Sequence, residues 1–204
     1  IIKVVEPLTK YSTMITDEKK IAYELDKALH LAKTGRKGPV WIDVPIDIQN
    51  ARINPSELER YIPENEGNEN IDVKYVVDAI GNSKRPVILI GNGVRSANAI
   101  EELEKFVQKS KIPVTFSNSA VDIYGSENEL SIGTVGSFGC NRAANFVTQN
   151  SDLLIVLGSR LSPMITGEEY EQFARDAKII VVDIDEIEHS KNTVKINKLI
   201  ISDC

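Results

Sequence analysis

The sequence predicts an α/β protein whose main body is a doubly wound parallel sheet of about six strands, held in a three-layer α/β/α arrangement. Three observations carry that prediction. Val87-Ile88-Leu89-Ile90, Leu153-Leu154-Ile155-Val156-Leu157 and Ile179-Ile180-Val181-Val182 are short apolar runs without polar alternation, which suits strands buried on both faces. Segments with helical spacing of apolar residues separate the runs, as crossovers between parallel strands require. Glycine or an acid follows each run, at Gly91, Gly158 and Asp183, where such sheets turn back or meet a ligand.

From the front, Thr16-Asp17 supplies an N-cap for a helix that spaces Ile21, Leu25, Ala28 and Leu31 along one face and stops at Gly35 and Gly38. Pro39 then opens a strand, Val40-Trp41-Ile42-Asp43-Val44, closed by Pro45. Residues 1–53 therefore read as the helix-strand remnant of a preceding α/β domain. Residues 54–70 turn to Pro, Ser, Glu, Asn and Gly, with Leu58, Tyr61 and Ile62 as the apolar exceptions, and read as a linker. Residues 71–204 form the main domain. It opens with a helix near 71–80 and the strand 87–90. A helix over 97–108 follows, with Ile100, Leu103, Phe106 and Val107 on one face, and then a strand over 113–116. The remainder reads as a helix over 142–149, the strand 153–157, a helix near 168–174, the strand 179–183 and a closing run Leu199-Ile200-Ile201.

Charge and composition narrow the classes. With 30 Asp plus Glu against 24 Lys plus Arg, the formal net charge is −6, which excludes nucleic acid and anionic membrane as main partners, because both reward clustered basic residues. A 42% hydrophobic content is enough for a sizeable core. The longest apolar stretches, such as Leu153 to Leu157, fall far short of the roughly 20 residues of a membrane-spanning helix. Cys140 and Cys204 are distant, with no CxxC pair, so neither a disulfide framework nor a zinc site is expected and the cytoplasm is the expected location. The chain opens on Ile1 without a leader pattern and reads as a piece of something longer.

Three strand ends are the candidates for chemistry in this Rossmann-like arrangement. Gly91-Asn92-Gly93 would let a phosphate or ribose approach the backbone, or simply make a tight strand-to-helix turn, since the third glycine of a dinucleotide fingerprint is missing. Gly158-Ser159-Arg160 offers a guanidinium to a diphosphate, or a surface ion pair. Asp183-Ile184-Asp185 offers carboxylates to ribose hydroxyls, or a cap for the next helix. The acidic run Asp183, Asp185, Glu186 and Glu188 lacks calcium-loop spacing and reads as a solvated helix start. His30 and His189 have no ligand-spaced partner and read as ordinary, partly exposed histidines. No GxSxG, HExxH or GxxxxGK[ST] occurs, so no catalytic and no metal-ligating residue is assigned. The residues by themselves lead to a nucleotide-binding or formerly nucleotide-binding domain, and to no reaction.

A resemblance adds to this. Arg85-Pro-Val-Ile-Leu-Ile-Gly-Asn-Gly-Val-Arg95, Gln149-Asn-Ser-Asp-Leu-Leu-Ile-Val-Leu-Gly-Ser-Arg160 and Ala177-Lys-Ile-Ile-Val-Val-Asp-Ile-Asp185 resemble the middle domain of thiamine-diphosphate-dependent enzymes of the acetolactate synthase group. Thr9-Lys10, Thr16-Asp17, Gly38-Pro-Val-Trp-Ile-Asp-Val-Pro45 and Asp47-Ile-Gln49 resemble the end of that family's pyrimidine-binding domain. The resemblance implies a parent that decarboxylates a 2-oxo acid and transfers the acyl unit. Thiamine diphosphate and Mg²⁺ would be held by domains outside this chain, in a homodimer or homotetramer. It also implies that the fragment alone is inactive, and that FAD or ADP, if bound in the middle domain, would lie on Gly91, Asn92, Gly93, Gly158, Ser159, Arg160, Asp183, Ile184 and Asp203. Flavin-binding relatives show Gly-Met-His-Gly and Arg-Phe-Asp-Asp-Arg blocks, where this chain reads Gly136-Ser137-Phe138-Gly139 and Arg160-Leu161-Ser162-Pro163-Met164. Ile46 stands where the synthases carry a lysine. FAD, ADP and an empty, vestigial cleft therefore all stay open, as does a stand-alone nucleotide-binding or sensor module without catalysis.

Overall fold

A computed structural model describes residues 1–63, 71–191 and 193–204. Two compact units result, Ile1–Asn68 and Glu69–Cys204.

The smaller unit is a strand-helix-strand motif. After the helix α1 (Ile2–Val5) come β1 (Tyr11–Met14), α2 (Ile21–Lys33), β2 (Val40–Asp43) and α3 (Ile46–Gln49). β1 and β2 pair in parallel, Tyr11 beside Val40 through Met14 beside Asp43. Asp17 caps as expected, its carboxylate accepting the N–H of Lys19 at 3.0 Å, although the turn it caps is a 3-10 turn that leads into α2. The sequence does not predict β1, because Tyr-Ser-Thr-Met is a weak apolar signal; its partner and the helix above it make it a strand. Of the stretch read as a linker, 64–70 lies outside the described residues. The part before it packs on α2: Arg60 pairs with Asp26 at 2.7 Å, and the Tyr61 ring meets Tyr23 edge-on at 5.5 Å.

The larger unit holds the doubly wound sheet. Its elements are α4 (Val73–Asn82), β3 (Pro86–Ile90), α5 (Gly93–Ser96), α6 (Ile100–Ser110), β4 (Val114–Phe116), β5 (Ser131–Thr134), α7 (Arg142–Gln149), β6 (Leu153–Leu157), α8 (Pro163–Thr166), β7 (Lys178–Asp183), α9 (Glu186–His189) and β8 (Lys198–Ile201). The strand order is β5-β4-β3-β6-β7-β8, and every neighbouring pair is parallel. The pleat divides the apolar runs between two cores. Ile88, Ile90, Leu153, Ile155 and Ile180 face one layer, with Leu103 and Val107 of α6 and the half-buried Val76 and Ile80 of α4. Val87, Leu89, Leu154, Val156, Ile179 and Val181 face the other, with Ala144 of α7 and Phe173. Removing each such side chain from water contributes roughly 1.5–3 kcal/mol, which is why runs without polar alternation become central strands here.

Two expectations need correction. β5 is absent from the expected strands, because Ser131-Ile-Gly-Thr134 carries little strand signal; it pairs along the far edge of β4 with a register shift between Val114 and Thr115. The helix expected near 168–174 does not form. Gly167, at φ +76°, ends the short α8, and Phe173 and Ala174 then enter the core as anchors of an irregular segment that includes the 3-10 turn Tyr170–Gln172. Among the described residues no helix is long and apolar enough to cross a membrane.

Candidate functional site

The chain winds outward from β3 through β4 to β5 and returns to β6, so the sheet's direction of winding reverses between β3 and β6. Ile90 lies beside Leu157, and Leu157 beside Val182, with all three strands parallel. The carboxyl tips of β3, β6 and β7 are therefore adjacent, and Asp183 lies beside Ile201 of β8, two residues before Asp203. The structure thus brings the turn residues Gly91, Asn92, Gly93, Gly158, Ser159, Arg160, Asp183, Ile184 and Asp203 to one edge of the sheet.

The glycines there serve the contact between two turns. Gly91 donates its N–H to the Leu157 carbonyl at 2.8 Å, Gly93 to Gly158 at 2.9 Å, Val94 to Gly91 at 3.4 Å, and Gly158 to Val182 at 2.9 Å. A Cβ on Gly91 would stand 2.7 Å from the Ser159 Cα, and one on Gly158 2.5 Å from the Gly93 Cα. Gly158 also adopts φ +57°, a conformation that favours glycine. Small residues are needed at these positions because two backbones touch. Ser159 is buried behind them, while Asn92 is exposed.

The charged groups are engaged with one another. Arg160, whose side chain is 59% exposed, holds Nη1 3.8 Å from Oε2 of Glu188, and Lys191 Nζ lies 2.6 Å from the same oxygen. Asp183 accepts the N–H of Asp185 at 3.0 Å through Oδ1, so its carboxylate braces the turn into α9. Its Oδ2 lies 3.3 Å from Nε2 of His189, whose side chain is only 2% exposed. That separation is within ion-pair range, yet Nε2 makes no aligned hydrogen bond. His189 as a residue is partly exposed, as the sequence suggests, but the turn after β7 folds its imidazole back against Asp183. Asp203 accepts the Cys204 N–H at 3.2 Å. Burial pushes the Cys204 thiol up to about 12, with the charges of Asp183 and Asp203 adding to the effect.

The loops after β4, β5 and β6 are stitched side by side. Asn118 donates from Nδ2 to the Phe138 carbonyl at 3.0 Å, and Ser137 donates its N–H to Met164 at 2.9 Å. Asn145, which sequence reasoning misses, holds Gly136 at both ends: its Nδ2 donates to the glycine carbonyl and its Oδ1 accepts the glycine N–H, each at 3.0 Å. Its only signal in the sequence is an amide on the helix after a glycine-rich loop. Phe138 and Met164 project outward, 70% and 53% exposed.

Chemically, this edge composes no nucleophile with a base, and among the described residues no three His, Cys, Asp or Glu side chains gather to hold a metal ion.

Comparison with known proteins agrees with the architecture. Residues 73–204 match the family model described as thiamine pyrophosphate enzyme, central domain. The chain is 39% identical over 190 residues to the acetolactate synthase large subunit of Corynebacterium glutamicum, covering 91% of this chain and 30% of that protein. It is 35% identical over 190 residues to the acetolactate synthase isozyme 1 large subunit of Escherichia coli, covering 91% and 33%. With the chloroplastic acetolactate synthase of Arabidopsis thaliana it shares 34% over 198 residues, covering 94% and 29%. The chain spans about a third of the length of the curated relatives it matches.

Proposed function

The chain belongs to the thiamine pyrophosphate enzyme family as its central domain, and from that premise we propose that it is part of an acetolactate synthase-like enzyme that decarboxylates a 2-oxo acid and passes the acyl unit to an acceptor. Similarity to acetolactate synthase large subunits over nine-tenths of this chain carries the reading. In such an enzyme thiamine diphosphate, with Mg²⁺, supplies the electron sink for loss of CO₂. This chain's part is to position. The core layers on both faces of the sheet hold the Ile90, Leu157 and Val182 tips side by side, and the interlocked glycine turns fix the loops above them. Residues 1–53 then correspond to the end of the pyrimidine-binding domain, 54–70 to the link, and 71–204 to the middle domain. The oligomer is a homodimer or homotetramer in the cytoplasm.

The resemblance also raises FAD or ADP on Gly91, Asn92, Gly93, Gly158, Ser159, Arg160, Asp183, Ile184 and Asp203, and the crevice supports a scaffold role for these residues instead. A stand-alone nucleotide module accounts less well for the similarity, because the relatives are enzymes about three times as long. The test is CO₂ release by the full-length protein from a panel of 2-oxo acids beginning with pyruvate, with and without thiamine diphosphate and Mg²⁺. Release that depends on thiamine diphosphate is the expected result, with none from residues 1–204 alone. Full-length protein that neither binds thiamine diphosphate nor releases CO₂ from any of the acids would sink the reading.

A further inference from the structure

We infer that the crevice at the tips of β3, β6 and β7 excludes the diphosphate of FAD or ADP, so that this central domain works without a bound flavin. The inference rests on the acetolactate synthase-like reading only in that the reading raises the flavin question; the observations that argue it belong to this chain. A diphosphate is held by backbone N–H groups that point at it and by cations free to approach it. At the glycines of these turns and at their charged side chains, both are engaged elsewhere. The N–H groups of Gly91, Gly93, Val94 and Gly158 all donate to carbonyls within the two turns or the adjoining strand ends. The helix after β3 is a single turn, Gly93–Ser96.

On the turns that follow β3, β6 and β7, the cations face carboxylates. Arg95 Nη2 lies 2.6 Å from Oδ1 of Asp122, whose carboxyl the guanidinium holds below its usual range. Arg160 and Lys191 share Glu188. Asp183, Asp185, Glu186, Glu188 and Asp203 crowd the same edge. A phosphate charge about 4 Å from one carboxylate is repelled, which lowers affinity about fivefold in water and by several hundredfold at roughly the dielectric of a protein surface. On the neighbouring loops, the exposed Phe138 and Met164 bring no positive charge to offset it.

Two measurements on the full-length protein test the inference. After incubation with FAD and gel filtration, the expected flavin content from absorbance is below about 0.1 per chain, and titration with ADP up to about 1 mM gives only heats of dilution. About one flavin per chain, or a micromolar Kd for ADP, would overturn the inference. The variant Glu188→Gln removes the negative charge that Arg160 and Lys191 share while leaving the turn N–H groups engaged. ADP binding is expected to stay absent in it, and its appearance would overturn the part assigned to the backbone. Thiamine-diphosphate-dependent CO₂ release on the same preparation separates the two ideas. Bound flavin with activity retained overturns this inference alone, whereas an inactive, flavin-free protein that fails to bind thiamine diphosphate overturns the functional reading.

Discussion

Gly158 shows how much one residue decides. It stands at φ +57° with its Cα pressed on Gly93, so Gly158→Ala meets both a strained backbone and a steric overlap. The expected cost is about 3 kcal/mol or more, read as a shift of the urea midpoint, since left-handed backbone alone costs about 1–2 kcal/mol for alanine. Wild-type stability in that variant would show that the two turns can separate, and with it that the crevice is not closed. Gly91, Gly93 and Gly158 stand out in the sequence as a pattern, but the pattern permits two uses, cradling a phosphate or packing a turn. Only the direction of the N–H groups separates them. Asp183 is similar: an acid after a strand can meet a ribose or brace a turn, and its contacts with Asp185 and His189 favour the brace.

Among the elements, α6 shows its apolar face in the sequence, although it forms over Ile100–Ser110 where the spacing suggested 97–108, and it ends in an unfavourable way. Its acids Glu101, Glu102 and Glu104 lie exposed, opposite the buried Leu103 and Val107, as its spacing requires. The chain then leaves the helix through Lys111 at φ 57°, a left-handed cap usually given to glycine. Lys111→Gly should therefore stabilise the protein by about 0.5–1 kcal/mol, and a thermal melt that moves downward would contradict this account of the cap. α7 forms over 142–149 as its spacing predicts. β5 and the segment after α8 are illegible for a common reason. The apolar residues of 168–174 are spent on anchoring an irregular path, and β5 borrows its hydrogen bonds from β4, so neither leaves a period in the sequence.

Within the larger unit, Asp152 joins distant parts of the chain. Its carboxylate accepts the N–H groups of Lys84 and Arg85, each at 2.8 Å, across more than sixty residues. Burial works against its ionisation, but those two N–H groups and the charge of Arg85 outweigh it and hold the acid below its usual range. A depressed carboxyl adds stability that is present above the unfolded value near 3.9 and is lost as pH falls through the folded one. Asp152→Ala should cost about 1–2 kcal/mol at pH 7, allowing for the partial exposure of the site. The gap to wild type should shrink as pH is lowered from about 5 toward 3 in denaturant titrations. An unchanged gap across that range would contradict the assignment.

At this scale the sequence by itself determined the class of the fold, the order of its long elements and the three strand ends, at Ile90, Leu157 and Val182, that meet at the carboxyl edge. These follow from apolar periodicity and from the rule that parallel strands share a direction. The tertiary structure alone decided where β5 pairs, that the imidazole of His189 is tucked against Asp183, and that the glycine N–H groups point inward. Those are questions of what stands opposite a group once the chain has turned back on itself, and a hydrogen bond or a steric contact is defined by its partner, which no local pattern names.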